Sequence, residues 1–253
     1  MAPKSLVVIG NPATMPEIRS NSIQLVVTSP PCCTYEQCGN GFFERYLTSM
    51  KSIFKECYRV LGDGRYICLN VPEASRVSSA HLIPILERAG FRYKDEIVWR
   101  NRKGQNSFIK NTYCTAYYPN DSFERVLFFK KGTIELYELT REERERCQFD
   151  LNFAFDHLAP IPDSMPKDIW ERPEKALYPE ELSEALIRLF TFEGETVLDP
   201  FLGCGTTVKV AKRIGRFAVG YGAYEEYLPF LGRKMPYPFS GIRIIKRGGY
   251  NEN

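Results

Sequence analysis

Short apolar runs alternate with amphipathic segments along most of this 253-residue chain. No other feature narrows the fold as far, because buried strands joined by crossover helices produce that rhythm and few other architectures do. Residues 5–9 (SLVVI) and 24–28 (QLVVT) read as buried strands. Residues 44–61 carry apolar side chains at helical spacing through Tyr46, Leu47, Met50, Ile53, Phe54, Cys57, Val60 and Leu61, and Gly62 follows as the expected helix C-cap. A strand over 65–71 (RYICLNV), a helix over 79–89 stopped by Gly90, and strands over 92–99 and 124–129 come next. A helix over 179–192, a strand over 196–199, a helix over 206–214 and a strand over 217–221 complete the pattern. From about residue 131 to 170 the rhythm breaks into a charged and then Pro-rich stretch, which reads as an insertion of the kind that carries recognition loops. The expectation is an open, mostly parallel α/β sheet.

Composition excludes several classes. The longest apolar runs fall far short of the roughly 18–20 residues a membrane helix needs, and the N-terminal stretch lacks the pattern of a signal peptide. A soluble, cytoplasmic protein without a membrane partner is expected. Net charge is only +3, so a polyanion partner has to be met by a local patch. The eight cysteines lack paired zinc spacing, since Cys33 and Cys38 have no matching second pair and His81 and His157 stand apart. No metal and no disulfide framework is expected, and Cys57 and Cys68 read as small core residues.

Two motifs carry chemistry. The first, Val197 to Thr207 (VLDPFLGCGTT), is a strand that ends in Asp199-Pro200, a Gly-x-Gly turn, and hydroxyls that open a helix. The glycines let a ligand approach the backbone, and free N–H groups at the helix start attract a carboxylate or phosphate. It has neither the lysine of a phosphate-binding P-loop nor the third glycine of a dinucleotide fingerprint. The second, Thr28-Ser29-Pro30-Pro31-Cys32, follows a strand directly. Its prolines make a rigid corner with no N–H to donate, so carbonyls and the Ser29 hydroxyl face a ligand. Ligands of open α/β sheets bind at the carboxyl ends of strands, where both motifs belong.

TSPP followed by DPFxGxGTT resembles the β-class amino-methyltransferases of DNA, which use S-adenosylmethionine. In that class the catalytic motif precedes the cofactor motif, as here, and the resemblance covers nearly the whole chain. It implies a Rossmann-like methyltransferase fold in permuted order, with helices on both faces of a twisted, mostly parallel sheet and one antiparallel strand. It divides the chain into a catalytic half (1–130), a target-recognition insertion (131–165) and a cofactor-binding half (166–253). It implies transfer of a methyl group to the exocyclic N4 amine of a flipped cytosine, since Ser rather than Asp opens the Pro-Pro corner.

By the same resemblance Ser29 and the Pro30 carbonyl accept the target amine's hydrogens, Pro31 fixes the corner and Thr28 leads into it. Asp199, Phe201, Gly203, Gly205, Thr206 and Thr207 hold the cofactor, with Asp199 at its amine and the hydroxyls and helix start at its carboxylate. Gly10 and Asn11 lie toward its adenine end. Double-stranded DNA is the implied partner, a restriction endonuclease a candidate companion, and a monomer or homodimer the expected state. Basic residues cluster from 100 to 131, interleaved with aromatics; Arg100, Arg102, Lys103 and Lys110, with Arg125, Lys130 and Lys131, are expected to meet phosphates.

Two positions depart from the family. Cys32 stands where an aromatic usually stacks on the flipped base, a role Tyr35 or Phe42 could take. Gly222 stands where an acid usually binds the ribose hydroxyls, with Glu225 and Glu226 nearby in a different register. Three alternatives stay open: adenine N6 transfer, carbon-5 cytosine transfer with Cys32 as nucleophile, and a nucleic-acid-binding relative with impaired catalysis.

Overall fold

The computed structural model describes residues 5–31, 41–72, 78–100, 123–133, 180–222 and 242–247. Eight strands form one sheet in the order β4-β5-β3-β2-β6-β7-β1-β8. They are β1 (Ser5–Ile9), β2 (Ile23–Thr28), β3 (Leu61–Pro72), β4 (Arg92–Arg100), β5 (Phe123–Lys130), β6 (Thr196–Asp199), β7 (Phe217–Gly222) and β8 (Ile242–Lys246). β5 runs antiparallel to both neighbours, and every other pairing is parallel. The sheet therefore has the single antiparallel strand that the family resemblance implies.

Four described helices cover its two faces: α1 (Phe42–Val60), α2 (Ser79–Arg88), α3 (Glu180–Phe190) and α4 (Thr206–Arg213). Strand alternation sorts the core into two layers. Val8, Val26, Ile67 and Leu69 pack with Met50, Phe54, Leu82 and Leu86 of α1 and α2. Val7, Leu25, Val27 and Cys68 pack with Leu186, Ile187, Val208 and Ala211 of α3 and α4. Burial on both faces is why β1 and β2 read as continuous apolar runs. Cys57 and Cys68 are core residues, and burial pushes both thiols well up.

Three features differ from expectation. Gly62 is not a helix cap: α1 ends at Val60, Leu61 turns extended (φ −68°, ψ 139°), and β3 begins there. The expected gap before β3 is taken up as a bulge, β2 advancing from Ile23 to Leu25 while β3 advances from Leu61 to Tyr66. The edge strand β8 was not expected; its mixed, half-exposed IRIIK pattern lacks the apolar signature of the central strands. Most of the expected insertion, 134–165, lies outside the described residues. Among the described residues no helix is long and apolar enough to cross a membrane.

Candidate active site

Pairing register brings the carboxyl ends of the parallel strands to one edge. Thr28 pairs with Leu69, Leu25 with Val197, Leu198 with Val219, and Ile9 with Gly222. Both motifs thus lie side by side, the corner after β2 and the glycine turn after β6.

The corner is built for accepting hydrogens. Thr28 is fully buried, Ser29 half-buried and Pro30 buried, while Pro31 is exposed. The Tyr46 hydroxyl, on α1, donates to the Pro31 carbonyl at 3.0 Å and pins the corner to the helix layer. Sequence periodicity assigns Tyr46 to the core, which is correct for its ring and misses its hydroxyl. Cys32 and Tyr35 lie outside the described residues. Phe42 is exposed at the start of α1.

The turn after β6 is built for donating. Gly203 (φ 49°) and Gly205 (φ 83°) occupy the left-handed region, which favours glycine, and Gly205 is the N-cap of α4. Thr206 and Thr207 open that helix, so their N–H groups point out of the turn at its positive end. The Cys204 thiol lies 3.3 Å from the Thr206 hydroxyl. Phe201 packs edge-on against Phe54 of α1, with ring centroids 6.4 Å apart.

Asp199 joins the two motifs. Thr28 Oγ1 donates to its Oδ1 at 2.6 Å, and the Phe201 N–H donates to the same oxygen at 3.0 Å. Burial pushes the Asp199 carboxyl above its usual range, and the Thr28, Thr207 and Phe201 donors offset part of that. Thr207 Oγ1 is itself buried without a well-formed hydrogen bond. A buried carboxylate beside a buried hydroxyl and a helix start suits a ligand that carries an ammonium and a carboxylate.

At the far side, the Gly10 N–H donates to the Gly222 carbonyl at 3.0 Å. Asn11 is exposed, and its Oδ1 accepts from the Ala13 N–H at 2.8 Å, so the acceptor expected at the adenine end closes its own turn. Residues 11–17 are fastened from the far end of the chain. Arg247, just past β8, donates to the Thr14 carbonyl at 2.8 Å, to the Asn11 carbonyl at 3.1 Å and to both Glu17 carboxylate oxygens. The Tyr221 hydroxyl also donates to Glu17 at 2.8 Å. Burial alone would push the Glu17 carboxyl up, but the Arg247 and Tyr221 bonds outweigh it and hold the carboxyl low. No sequence motif marks this cluster. Gly222 has no positive φ, and among the described residues a Cβ there would meet only Ile9 Cδ1 at 3.6 Å, an ordinary contact. Glu225 and Glu226 lie outside the described residues.

The basic stretch divides. Arg125 is ion-paired with Glu96 at 2.6 Å, Lys130 is buried, and Lys131 is buried with its Nζ on Asn21 Oδ1 (2.5 Å) and the Leu61 carbonyl (2.7 Å). Burial keeps Lys130 and Lys131 away from phosphates, a correction to the sequence reading, while Arg125 is half-buried in its ion pair. Burial pushes the Lys131 ammonium below its usual value, and Asp63 opposes that shift. β4 ends at Arg100, on the same edge as the two motifs. Arg102, Lys103 and Lys110 lie outside the described residues.

A family model described as DNA methylase, of N6 and N4 type, matches residues 23–231. The chain belongs to this DNA methylase family. Among relatives, the type II methyltransferase M.MjaI of Methanocaldococcus jannaschii is 27% identical over 90% of each chain. M.HpaI of Haemophilus parainfluenzae is 27% identical over 90% of this chain and 73% of its own. Two solved structures share the fold. A Thermus thermophilus protein described as a DNA modification methylase, in complex with S-adenosyl-L-methionine, superposes with a TM-score of 0.73 at 24% identity, covering 98% of this chain and 100% of that one. The PvuII DNA methyltransferase, described as cytosine-N4-specific, superposes at 0.59 with 20% identity over 88% of this chain and 83% of its own. The methylase family accounts for a site made of two neighbouring strand ends, one rich in acceptors and one rich in donors.

Proposed function

We propose that this DNA methylase transfers a methyl group from S-adenosylmethionine to the exocyclic N4 amine of cytosine in a flipped base. The observation that carries the reading is the hydrogen bond from Thr28 to Asp199, which sets an uncharged Ser-Pro-Pro corner directly beside the ammonium-and-carboxylate cradle. When bound, S-adenosylmethionine supplies an electrophilic methyl whose bond to sulfur breaks as the amine's lone pair takes the carbon, the electron pair staying on sulfur. Asp199 holds the cofactor's ammonium, and the N–H groups and hydroxyls of Thr206 and Thr207 hold its carboxylate. Phe201, Gly203 and Gly205 shape the turn around it, with Gly10 and Asn11 toward the adenine. Ser29 Oγ and the Pro30 carbonyl accept the two amine hydrogens, which aims the lone pair. Holding the amine in line supplies orientation worth up to about 7–11 kcal/mol in favourable systems. The nitrogen sheds its extra proton to water after transfer, so no strong base is needed. A neutral Ser29 hydroxyl suits the neighbouring ring acceptor of cytosine better than a carboxylate would.

Duplex DNA lies along the strand-end edge in this reading, with 131–165 recognising sequence and a restriction endonuclease as companion. Arg100, Arg102, Lys103 and Lys110 meet phosphates. Changing the last three to Ala should weaken binding to every DNA sequence and flatten log affinity against log salt by about 0.9 per lost contact; an unchanged slope overturns that assignment.

Single-molecule sequencing of DNA from cells that express the protein tests the activity. N4-methylcytosine in one fixed context is the expected result. N6-methyladenine would move the reading to the other base, and 5-methylcytosine that disappears in Cys32→Ala would move it to ring chemistry. Unmodified DNA would favour a relative with impaired catalysis.

A further inference from the structure

Asn70 lies within the buried part of β3, between Leu69 and Val71, in a run that otherwise presents apolar residues to both layers. It is 2% exposed. Its Nδ2 donates to Glu124 Oε2 at 2.5 Å, across to β5. An ionised carboxylate can only accept, so this bond fixes which end of the amide is which. The other end, Oδ1, is buried and has no hydrogen-bond partner among the described residues. A buried acceptor without a partner costs free energy and is rare enough to need a reason.

Its position supplies one. Leu69 is the register partner of Thr28, so Asn70 stands one step further along, level with Ser29. Asn70 shares the face of the sheet on which Cys68 and Val126 pack. β3, which carries it, and β6, which ends at Asp199, lie to either side of β2. Glu124, near the start of β5, is the tether that keeps the amide's carbonyl turned away from itself.

We propose that Asn70 is a further catalytic residue, whose Oδ1 faces the target amine beside Ser29 and the Pro30 carbonyl, with Glu124 as its positioning residue. This rests on the proposed amine methylation. An amine has only two hydrogens for three acceptors, but the third need not hold one to itself. As the lone pair moves to carbon the nitrogen gains positive charge, and a fixed carbonyl dipole in a dry site stabilises that charge more than it stabilises the neutral amine. The oxygen's missing partner in the protein alone is what such a role requires.

The role separates catalysis from stability. Asn70→Leu removes the orphaned acceptor at similar volume, so the thermal midpoint should hold or rise while kcat falls about ten- to a hundred-fold. KM for S-adenosylmethionine should stay within about twofold, because Asn70 is not assigned to the cofactor. Glu124→Ala should lower kcat in the same sense, and the double variant should be no worse than Asn70→Leu alone. Asn70→Ala serves the same comparison if Leu does not fold. A kcat equal to wild type in a folded Asn70 variant overturns the proposal. So does a midpoint that falls together with cofactor binding, which would mark Asn70 as part of the scaffold. Wild-type protein that methylates no DNA overturns the activity itself, an outcome separate from a failure of Asn70.

Discussion

The corner after β2 and the turn after β6 do opposite things with adjacent strand ends. The corner removes backbone donors with Pro30 and Pro31, so carbonyls and a hydroxyl remain. The turn gathers donors, because Gly203 and Gly205 take the left-handed backbone and leave the first N–H groups of α4 pointing outward. One end suits an amine and the other a carboxylate. A cofactor that must meet an amine with its methyl and be held by its carboxylate needs both within one strand spacing, and the Thr28–Asp199 bond sets their separation. The lesson is that proline and glycine here select the sign of the exposed backbone group as well as the shape of the loop.

Three experiments would break or sharpen that contrast. The largest effect belongs to the acceptor side: Ser29→Ala with Pro30→Ala should remove most methyl transfer and leave S-adenosylmethionine affinity nearly intact by calorimetry. Loss of cofactor binding in the folded double variant would erase the division between the two ends.

The donor side should answer differently. Asp199→Asn keeps an acceptor for Thr28 but loses the charge that meets an ammonium. Cofactor affinity should fall about ten- to a hundred-fold, the scale of a charged hydrogen bond at about 1.5–3 kcal/mol. The sign for stability is fixed by burial, which raises the Asp199 carboxyl in the folded state. The folded protein therefore holds that proton more tightly, so stability falls as pH rises from the ordinary carboxylate value to the raised one and stays lower above it. The Asn variant should unfold at a higher temperature than wild type at neutral pH. That advantage should vanish as pH drops below the ordinary carboxylate range. Thermal scans across pH check it, and an advantage that grows in acid would show the carboxylate to be stabilising.

The smallest effect lies at the ribose side. Gly222 has ordinary φ and room for a Cβ, so Gly222→Glu should fold normally. It should tighten S-adenosylmethionine binding about ten-fold or more, since an acid here can accept ribose hydroxyls. Titration of both proteins reads this directly. Equal affinities would mean that another group already fills the role.

Strands β1 to β7, the helices between them and the meeting of the two motifs were legible, because each rests on local pattern: apolar runs, helical spacing, glycine and proline; helices on both faces came from the family resemblance. What escaped needed knowledge of distant partners. Lys131 looks like any basic residue until Asn21 and Leu61 close over it. Arg247 and Glu17 lie at opposite ends of the sequence and carry no motif. Asn70 left a faint sign, one polar residue inside the strand read over 65–71, which an apolar pattern tolerates without comment. Gly62 misled because Leu61 turns extended before any cap is needed.

β1 is flanked by β7 on one side and β8 on the other. Among the described strands, the one earliest in the sequence is thus paired by the two latest. While a ribosome works through the intervening chain, SLVVI has neither of its native neighbours, and two bare apolar edges wait for the far segment to emerge. The same closeness makes residue 11 and residue 247 spatial neighbours, linked through Arg247. Opening the chain elsewhere and joining it there would leave every pairing of the sheet in place, so the order of the motifs along the gene is a matter of where the ribbon is cut.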